Sequence, residues 1–315
     1  MQSNRATLYE SKVRRLAAQY YPNRRICSVE CLHSSGRTRV YDVIFQNEPP
    51  VIVKLFPSAS EERAIRKFSH ERSVYGKLTG VGVPVPQILK SCEKSQEVGM
   101  PYCILTRLQG QPADNVLQHT NSWEDIKIFQ ALGTTLSKIH QIEAPWVGPV
   151  LLESVVPQHI DWWQYLASML KRFASGGRLS GDKEQATQYL RQAMSSMTEP
   201  IRLTLVHNDY TFHNILLSQL VNSWEVSGIL DVEWAFYGDA EWDLACFYWY
   251  LRQDYERYHQ IFENFRSGYH GNCAELPVLQ FEKIKVYMLL RMLALSQDYP
   301  AFGGNFNEVL QWQTW

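Results

Sequence analysis

The sequence lacks both a long apolar run and an excess of one charge. Its 315 residues include no stretch of about 18 apolar residues, the length that a membrane-spanning helix needs. The formal net charge is -1, so no overall field favours nucleic acid or an acidic membrane as a partner. Residues 1–21 contain no apolar core typical of a signal peptide. We therefore expect a cytoplasmic protein that binds neither nucleic acid nor membranes.

The cysteines form no recognisable metal or redox motif. None of the six belongs to a Cys-x-x-Cys pair, and no cluster of histidine and cysteine has the spacing of a zinc site. Buried thiols in a reducing compartment explain them most simply. A chain of 315 residues can form two lobes or one large domain. Any chemistry must therefore come from particular polar residues within an ordinary globular composition.

The first third of the chain shows mainly strand and turn patterns. Helices are predicted over residues 5–21 and 61–78. Strands rich in β-branched and aromatic residues are predicted over residues 26–33, 38–45, 51–56, 87–93 and 102–108. The first three strands are separated by turn sequences, which predicts an antiparallel meander. The segment Gln109-Gly110-Gln111-Pro112 interrupts the pattern and is the predicted linker.

The remainder of the chain is mostly helical. Helices are predicted over residues 123–141, 160–174, 182–197, 240–253, 255–268 and 278–297. Short apolar strands are predicted over residues 203–206, 215–217 and 226–230. We therefore expect an α+β protein with two lobes. A small lobe with an antiparallel sheet and one helix covers residues 1–108, and a larger, mainly helical lobe covers residues 109–315.

Three polar residues adjoin the short strands of the helical half. Asp209 follows the first strand, Asn214 begins the second, and Asp231 ends the third. Phosphoryl transfer needs a carboxylate at the attacking hydroxyl and oxygen ligands for Mg²⁺. We therefore interpret Asp209 as the catalytic carboxylate, and Asn214 with Asp231 as metal ligands. The alternative is that all three are turn or cap residues, which aspartate and asparagine also favour.

Three blocks around these residues resemble the aminoglycoside phosphotransferase and choline kinase superfamily, in the order of that family. They are residues 207–214 (HNDYTFHN), 229–234 (ILDVEW) and 237–245 (YGDAEWDLA). The resemblance, which extends roughly over residues 26–298, implies a protein kinase-like fold. It also implies Mg²⁺, ATP or GTP, and transfer of the γ-phosphate to a hydroxyl of a small molecule. In this family His207 and Asp243 would be supports of the catalytic loop.

A lysine on the third predicted strand suits the nucleotide phosphates. Lys54 lies in an apolar strand, where a buried ammonium needs a partner. We choose Glu71 on the following helix, as in kinases in which such a pair grips the α- and β-phosphates. Glu61 and Glu62 are alternative partners. A lysine that faces water from an edge strand is the alternative interpretation.

Four further nucleotide contacts follow from the resemblance alone. In such kinases the first hairpin covers the phosphates, which implies Ser35 and Gly36. The strand that leads to the interlobe hinge meets adenine, which implies Thr106 and Leu108. The sequence around Gly36 has neither a Gly-x-Gly-x-x-Gly loop nor a Walker motif, so its role depends on the resemblance.

The acceptor stays open at this level. Most antibiotic kinases of the family have glycine where this chain has Asn208, whereas choline kinase-like members carry His-Asn-Asp. We name Glu233, Trp234 and Glu241 as acceptor contacts, since aromatic rings and carboxylates can bind a cationic amine. Packing between helices is the alternative explanation of the rings. The sequence gives no sign of an oligomeric state.

Three functions compete. The first is an antibiotic-type or natural-product phosphotransferase. The second is a metabolic kinase for a choline, homoserine, fructosamine or methylthioribose type of substrate. The Asp-x-Glu arrangement that Glu233 forms with Asp231 favours this second function. The third is a kinase-like binding protein without activity, which the intact Lys54, Asp209, Asn214 and Asp231 argue against.

Overall fold

The computed structural model describes residues 2–35, 38–119, 126–151, 161–175, 181–197, 201–221, 223–254, 256–271, 280–298 and 305–312. The chain divides into two compact units. The first comprises Met1–Gly110 with Ser227–Glu233, and the second comprises Gln111–Val226 with Trp234–Trp315. In the part of the chain so described, we find no helix with both the length and the apolar character of a membrane span.

The first unit is an antiparallel sheet with two helices. Its elements are α1 (Gln2–Tyr20), β1 (Ile26–Ser34), β2 (Arg39–Phe45), β3 (Glu48–Leu55), α2 (Glu61–Gly80), β4 (Ile88–Cys92) and β5 (Tyr102–Thr106). The strand order is β1-β2-β3-β5-β4, and the predicted meander of the first three strands is confirmed. The turn between the strands predicted over residues 38–45 and 51–56 is shorter than expected, because Asn47 adopts a φ of 57° and β3 begins at the next residue.

The alternation of side chains along the strands builds two cores in this unit. Val53 and Ile104 pack in the same core as Val13 and Leu16 of α1. The residues next to them along β3 and β5 point to the other face of the sheet, where they pack with Phe68 of α2. Lys54 immediately follows Val53 and so points away from the α1 core. This alternation is the reason why a lysine on an apolar strand can meet a glutamate of α2.

The second unit is mainly helical. Its elements are β6 (Gln111–Pro112), α3 (Ala113–His119), α4 (Ile126–Ile139), β7 (Gly148–Pro149), α5 (Trp162–Ser175), α6 (Asp182–Ser196), β8 (Leu203–Val206), β9 (Ile215–Gln219), β10 (Trp224–Ile229), β11 (Phe236–Asp239), α7 (Glu241–Asp254), α8 (Tyr258–Tyr269), α9 (Phe281–Asp298) and α10 (Phe306–Leu310). The six predicted helices correspond to α4–α9, whereas α3, α10, β7 and β11 were not predicted, and β6 lies in the predicted linker. Residues 123–125, 160, 255 and 278–279 of the predicted helices lie outside the described residues. The predicted α+β class is confirmed.

Two glycines allow α4 and α8 to cross closely. A Cβ added to Gly133 would lie 1.9 Å from the carbonyl oxygen of Phe265, and one added to Gly268 would lie 2.0 Å from that of Gln130. Beside this crossing, the buried Tyr210 donates a hydrogen bond to the carbonyl of Leu132 at 2.8 Å. The crossing therefore anchors the loop in which Asp209 lies.

Candidate active site

The loop between β8 and β9 is held by one buried carboxylate. The backbone N–H groups of His207 and Asn208 donate to Oδ2 and Oδ1 of Asp243, each at 2.7 Å. The Nε2 atom of His140 lies 3.1 Å from the same carboxylate, and both side chains are fully buried. Charge-assisted hydrogen bonds of this kind are among the stronger ones in proteins. Asp243 and His207 thus have the positions of loop supports.

Asn208 adopts an unusual backbone conformation in this loop. Its φ is 66°, in the left-handed region that few residues other than glycine enter without strain. Its side-chain oxygen accepts a hydrogen bond from Trp242 Nε1 at 2.8 Å, and its amide donates to the carbonyl of Trp234 at 3.2 Å. These bonds hold the strained residue immediately before Asp209.

Asp209 and Asn214 are in direct contact. A short 3₁₀ turn over Phe212–Asn214 brings the asparagine back toward the aspartate. Its Nδ2 donates to Asp209 Oδ2 at 2.8 Å and to the Asp209 carbonyl at 3.0 Å. The Asp209 side chain is 31% exposed, so it can meet a solute. The asparagine orients the carboxylate, and its own Oδ1 is a hard oxygen atom of the kind that Mg²⁺ prefers.

The first unit contains the predicted lysine pair. Lys54 Nζ lies 2.8 Å from Glu71 Oε2, and the two side chains are 8% and 2% exposed. Burial lowers the pKa of Lys54, but Glu71, Tyr75 and Asp231 outweigh it and raise the pKa above its usual value. The ammonium therefore stays charged. Asp231 belongs to the same unit and has a φ of 52°, the left-handed region again.

The remaining predicted nucleotide contacts lie at strand ends. Ser35 closes the β1–β2 connection, where its hydroxyl accepts from Thr38 N–H at 3.1 Å. Gly36 lies outside the described residues. Thr106 ends β5, and its hydroxyl accepts from Gln87 N–H at 2.9 Å. Leu108 follows, half-buried.

The predicted acceptor contacts do not form one cluster within the second unit. Glu241 begins α7, with Oε2 3.3 Å from Lys283 Nζ. Burial raises the pKa of Glu241, and the nearby Lys283 ammonium partly offsets this rise. The Trp234 carbonyl accepts a hydrogen bond from the Asn208 side chain in the loop between β8 and β9. Glu233 belongs to the first unit.

Sequence reasoning missed two residues of this site. His140 binds Asp243, which is 103 residues away, and its Nδ1 lies 2.7 Å from the hydroxyl of Tyr269. Arg291 in α9 approaches Asp209, with Nη2 3.5 Å from Oδ1. Both lie in helical patterns where nothing distinguishes them from other polar positions, so no signal in one sequence could have identified them.

A cavity of about 660 Å³ lies between α5 and α6. Its lining includes the apolar side chains of Trp163, Leu170 and Met194 and the cations Lys171 and Arg191. None of the described residues that line it is acidic. This cavity is where the two helices leave space within the second unit.

The family model of the Phosphotransferase enzyme family matches residues 31–275. The N-acetylmuramate/N-acetylglucosamine kinase of Pseudomonas aeruginosa is 28% identical over 179 residues, or 56% of this chain and 47% of that protein. Acyl-CoA dehydrogenase family member 10 of Mus musculus is 25% identical over 212 residues, or 64% of this chain and 18% of that protein. The match thus spans about half of the first relative and less than a fifth of the second.

Solved structures share the fold over nearly the whole chain. The aminoglycoside phosphotransferase APH(4)-Ia has a TM-score of 0.67 at 17% identity, covering 95% of this chain and 94% of that one. The GDP complex of aminoglycoside 2'-phosphotransferase-IIIa has a TM-score of 0.62 at 16% identity, covering 96% of both chains. These likenesses confirm the kinase-like fold predicted from the sequence, and the family match confirms the expected class of phosphotransferase.

Proposed function

The chain belongs to the phosphotransferase enzyme family, and from this premise we propose that it is a small-molecule kinase that uses Mg²⁺ with ATP or GTP. The observation that carries the proposal is the partly exposed Asp209 carboxylate, which Asn214 orients in a loop held by Asp243. A fixed carboxylate of this kind is what phosphoryl transfer to a hydroxyl requires.

The reaction assigned to Asp209 is proton removal. As the acceptor oxygen forms its bond to the γ-phosphorus, the bond from phosphorus to the leaving nucleoside diphosphate breaks, and the hydroxyl proton passes to Asp209. Asn214 donates to Oδ2 and so fixes the carboxylate for this transfer. We retain Asn214 and Asp231 as the Mg²⁺ ligands, because amide and carboxylate oxygens are the donors that this ion prefers. Bound there, Mg²⁺ would neutralise charge on the phosphates.

The first unit supplies the proposed nucleotide contacts. The buried Lys54 stays cationic beside Glu71 and suits the α- and β-phosphates. Ser35, Gly36, Thr106 and Leu108 keep the assignments that the family resemblance gave them. On this proposal residues 1–108 bind the nucleotide, and residues 109–315 carry the catalytic loop and the acceptor site.

Two comparisons bear on the nucleotide and the acceptor. A solved structure of APH(4)-Ia is a ternary complex with AMP-PNP and hygromycin B, and the related 2'-phosphotransferase was solved with GDP. The curated relative is named for two amino sugars. These names support a sugar-type hydroxyl as the acceptor and leave ATP and GTP both open. Sugar acceptors therefore come first in a phosphotransfer screen, before amino alcohols and macrolides.

Calorimetry and turnover of two variants test the proposal. Asp209→Ala should lower transfer by about 10²–10⁴-fold while it leaves the affinity for Mg·nucleotide nearly unchanged. Asp231→Ala should instead weaken Mg·nucleotide binding by about tenfold or more. Asp182→Ala, in the first turn of α6, is the matched control and should change neither quantity. The proposal fails if wild-type protein binds neither Mg·ATP nor Mg·GTP, or if Asp209→Ala turns over normally.

A further inference from the structure

Arg291 is a largely buried cation beside the proposed catalytic carboxylate. Its side chain is 15% exposed, and Nη2 lies 3.5 Å from Asp209 Oδ1. A guanidinium carries five N–H donors. This long contact uses one of them, and the others have no partner among the residues that the structure describes. None of the Arg291 nitrogens is among the fully buried polar atoms without a partner, so the unused donors are open to a further anionic group.

Other arginines show how a structural ion pair looks in this protein. The Nε and Nη2 atoms of Arg252 lie 2.8 Å and 2.7 Å from Glu308 Oε1. The Nε atom of Arg107 lies 2.9 Å from Asp42 Oδ2. Short contacts of this kind are typical of arginine that holds a carboxylate. Arg291 lies near Asp209 without so short a contact, and most of its N–H donors are not used by protein groups.

Two ionisable neighbours of Arg291 and Asp209, Asp243 and Cys246, are already engaged or neutral. The Asp243 carboxylate accepts two backbone N–H groups and contacts His140. Burial raises the pKa of the Cys246 thiol to about 12, so this neighbour is neutral. Asp209 therefore balances the guanidinium, and on the proposed mechanism Asp209 becomes neutral when it takes up the acceptor's proton. An anionic group on the acceptor would keep the guanidinium paired at that moment.

The same side of α9 adjoins the cavity between α5 and α6. Trp163 lines the cavity and stacks on Tyr287, with ring centroids 6.1 Å apart. Tyr287 and Arg291 are four residues apart in α9, so they lie on one face of the helix. The cavity also has Lys171 and Arg191 in its lining. Two cations thus line the cavity whose Trp163 stacks on the face of α9 that also carries Arg291.

Two carboxylates that could have met a cationic acceptor are engaged elsewhere. Asp161 Oδ1 accepts the backbone N–H of Trp163 at 2.7 Å and so caps α5. Glu241 lies 3.3 Å from Lys283. In the part of the chain that the structure describes, these two carboxylates are thus not available to a polycationic amino sugar, whereas Lys171 and Arg191 would repel it.

We propose that Arg291 is a specificity-determining residue that binds an acidic group of the acceptor, so that the preferred acceptors are hydroxy acids, acidic sugars among them. The inference rests on the proposed kinase function. It goes beyond that function because it names the charge of the acceptor and the residue that selects it.

Paired acceptors that differ in one carboxylate test this selection. N-acetylmuramate is N-acetylglucosamine with an added lactyl ether, and gluconate with glucose and glycerate with glycerol give simpler pairs. We expect wild-type protein to prefer the acid of a pair by about tenfold or more in kcat/KM, mainly through KM. In Arg291→Gln the ratio of acid to neutral acceptor should fall toward one, and Arg291→Lys should keep part of it. Arg66→Gln, at a side chain that is 73% exposed, is the control and should keep the wild-type ratio.

The outcomes separate this inference from the function on which it rests. A ratio that survives in Arg291→Gln, or a wild-type preference for the neutral members, overturns the role of Arg291. If wild-type protein binds Mg·ATP or Mg·GTP in calorimetry yet phosphorylates no acid of the panel, the inference fails and the kinase function stands. If it binds neither nucleotide, both fail. Should Arg291→Gln not fold, as judged by its melting transition, the ratio in Arg291→Lys decides in its place.

Discussion

Replacement of Asp243 by asparagine should release the loop that carries Asp209. One carboxylate oxygen of the aspartate accepts a hydrogen bond from the N–H of Asn208, and the other accepts from the N–H of His207, each at 2.7 Å. Asparagine has the same shape but only one acceptor oxygen. In either orientation of the new amide, one backbone N–H faces an NH₂ group. The change therefore removes at least one hydrogen bond from a fully buried site without leaving a void, and an NH₂ group in place of Oδ2 would also face His140 Nε2.

The expected loss follows from these contacts. A hydrogen bond to a charged group contributes about 1.5–3 kcal/mol, and a buried donor left unpaired costs about 1–3 kcal/mol. Their sum is about 2.5–6 kcal/mol, a range that includes the loss of about 3–5 kcal/mol when one partner of a buried pair is removed. A melting temperature lower by on the order of 10 °C follows from this sum. Asn208 should then leave its strained conformation and displace Asp209, and kcat/KM should fall by about 10²-fold.

Differential scanning calorimetry and steady-state kinetics measure the two effects. Asp161→Asn is the matched control, because Asp161 is exposed at the start of α5 and asparagine caps a helix as well as aspartate does. The control should melt and turn over like the wild-type protein. If Asp243→Asn melts within about 2 °C of wild type and keeps its kcat/KM, then Asp243 does not hold the catalytic loop as its contacts indicate.

Lys54→Met should cost about 3–5 kcal/mol, because Glu71 loses its buried partner; adding Glu71→Leu should restore stability in denaturant unfolding but not nucleotide binding. Gly133→Ala should lower the free energy of unfolding by about 3 kcal/mol or more, because its Cβ would meet a carbonyl oxygen at 1.9 Å. Gly76→Ala in α2, where a Cβ would meet open space, should instead stabilise the protein by up to ~1 kcal/mol in the same assay. Burial lowers the pKa of His70, so the folded protein favours neutral imidazole. That contribution is present above the unfolded pKa of about 6.5 and is lost at lower pH. Between about pH 7.5 and 5.5 the wild-type melting temperature should therefore fall more than that of His70→Gln, and equal slopes would contradict this.

Local patterns in the sequence predicted most of the fold because they depend on neighbours along the chain. The period of two in β3 places Lys54 toward α2, and the helical period brings Glu71 to meet it. The short strands β7 and β11 have no such pattern, since β7 has two residues and β11 has four. Their conformation depends on pairing with each other and with β8, which a local window does not contain.

The support of the candidate site could not be predicted for a related reason. The blocks around Asp209 and Asp243 indicated a loop and a carboxylate behind it, because both residues lie inside sequence blocks that resemble the family. His140 directly follows α4 and is 103 residues from Asp243 in sequence. Arg291 lies in α9 and is 82 residues from Asp209. Their side chains reach the site through the packing of α4 and α9, and that packing is a property of the tertiary structure alone.

Asn208 shows how a departure from a family motif can have a local cause. From the sequence, asparagine in place of the usual glycine leaves the class of acceptor open. In the structure its φ of 66° is one that glycine reaches freely and asparagine tolerates better than most residues. Its side chain then binds Trp242 and the Trp234 carbonyl, which glycine could not do. The asparagine thus satisfies a backbone requirement and ties the following segment to the loop. Neither property concerns the acceptor. On our proposal the charge of the acceptor is instead selected by Arg291, the cation nearest to Asp209 among the described residues.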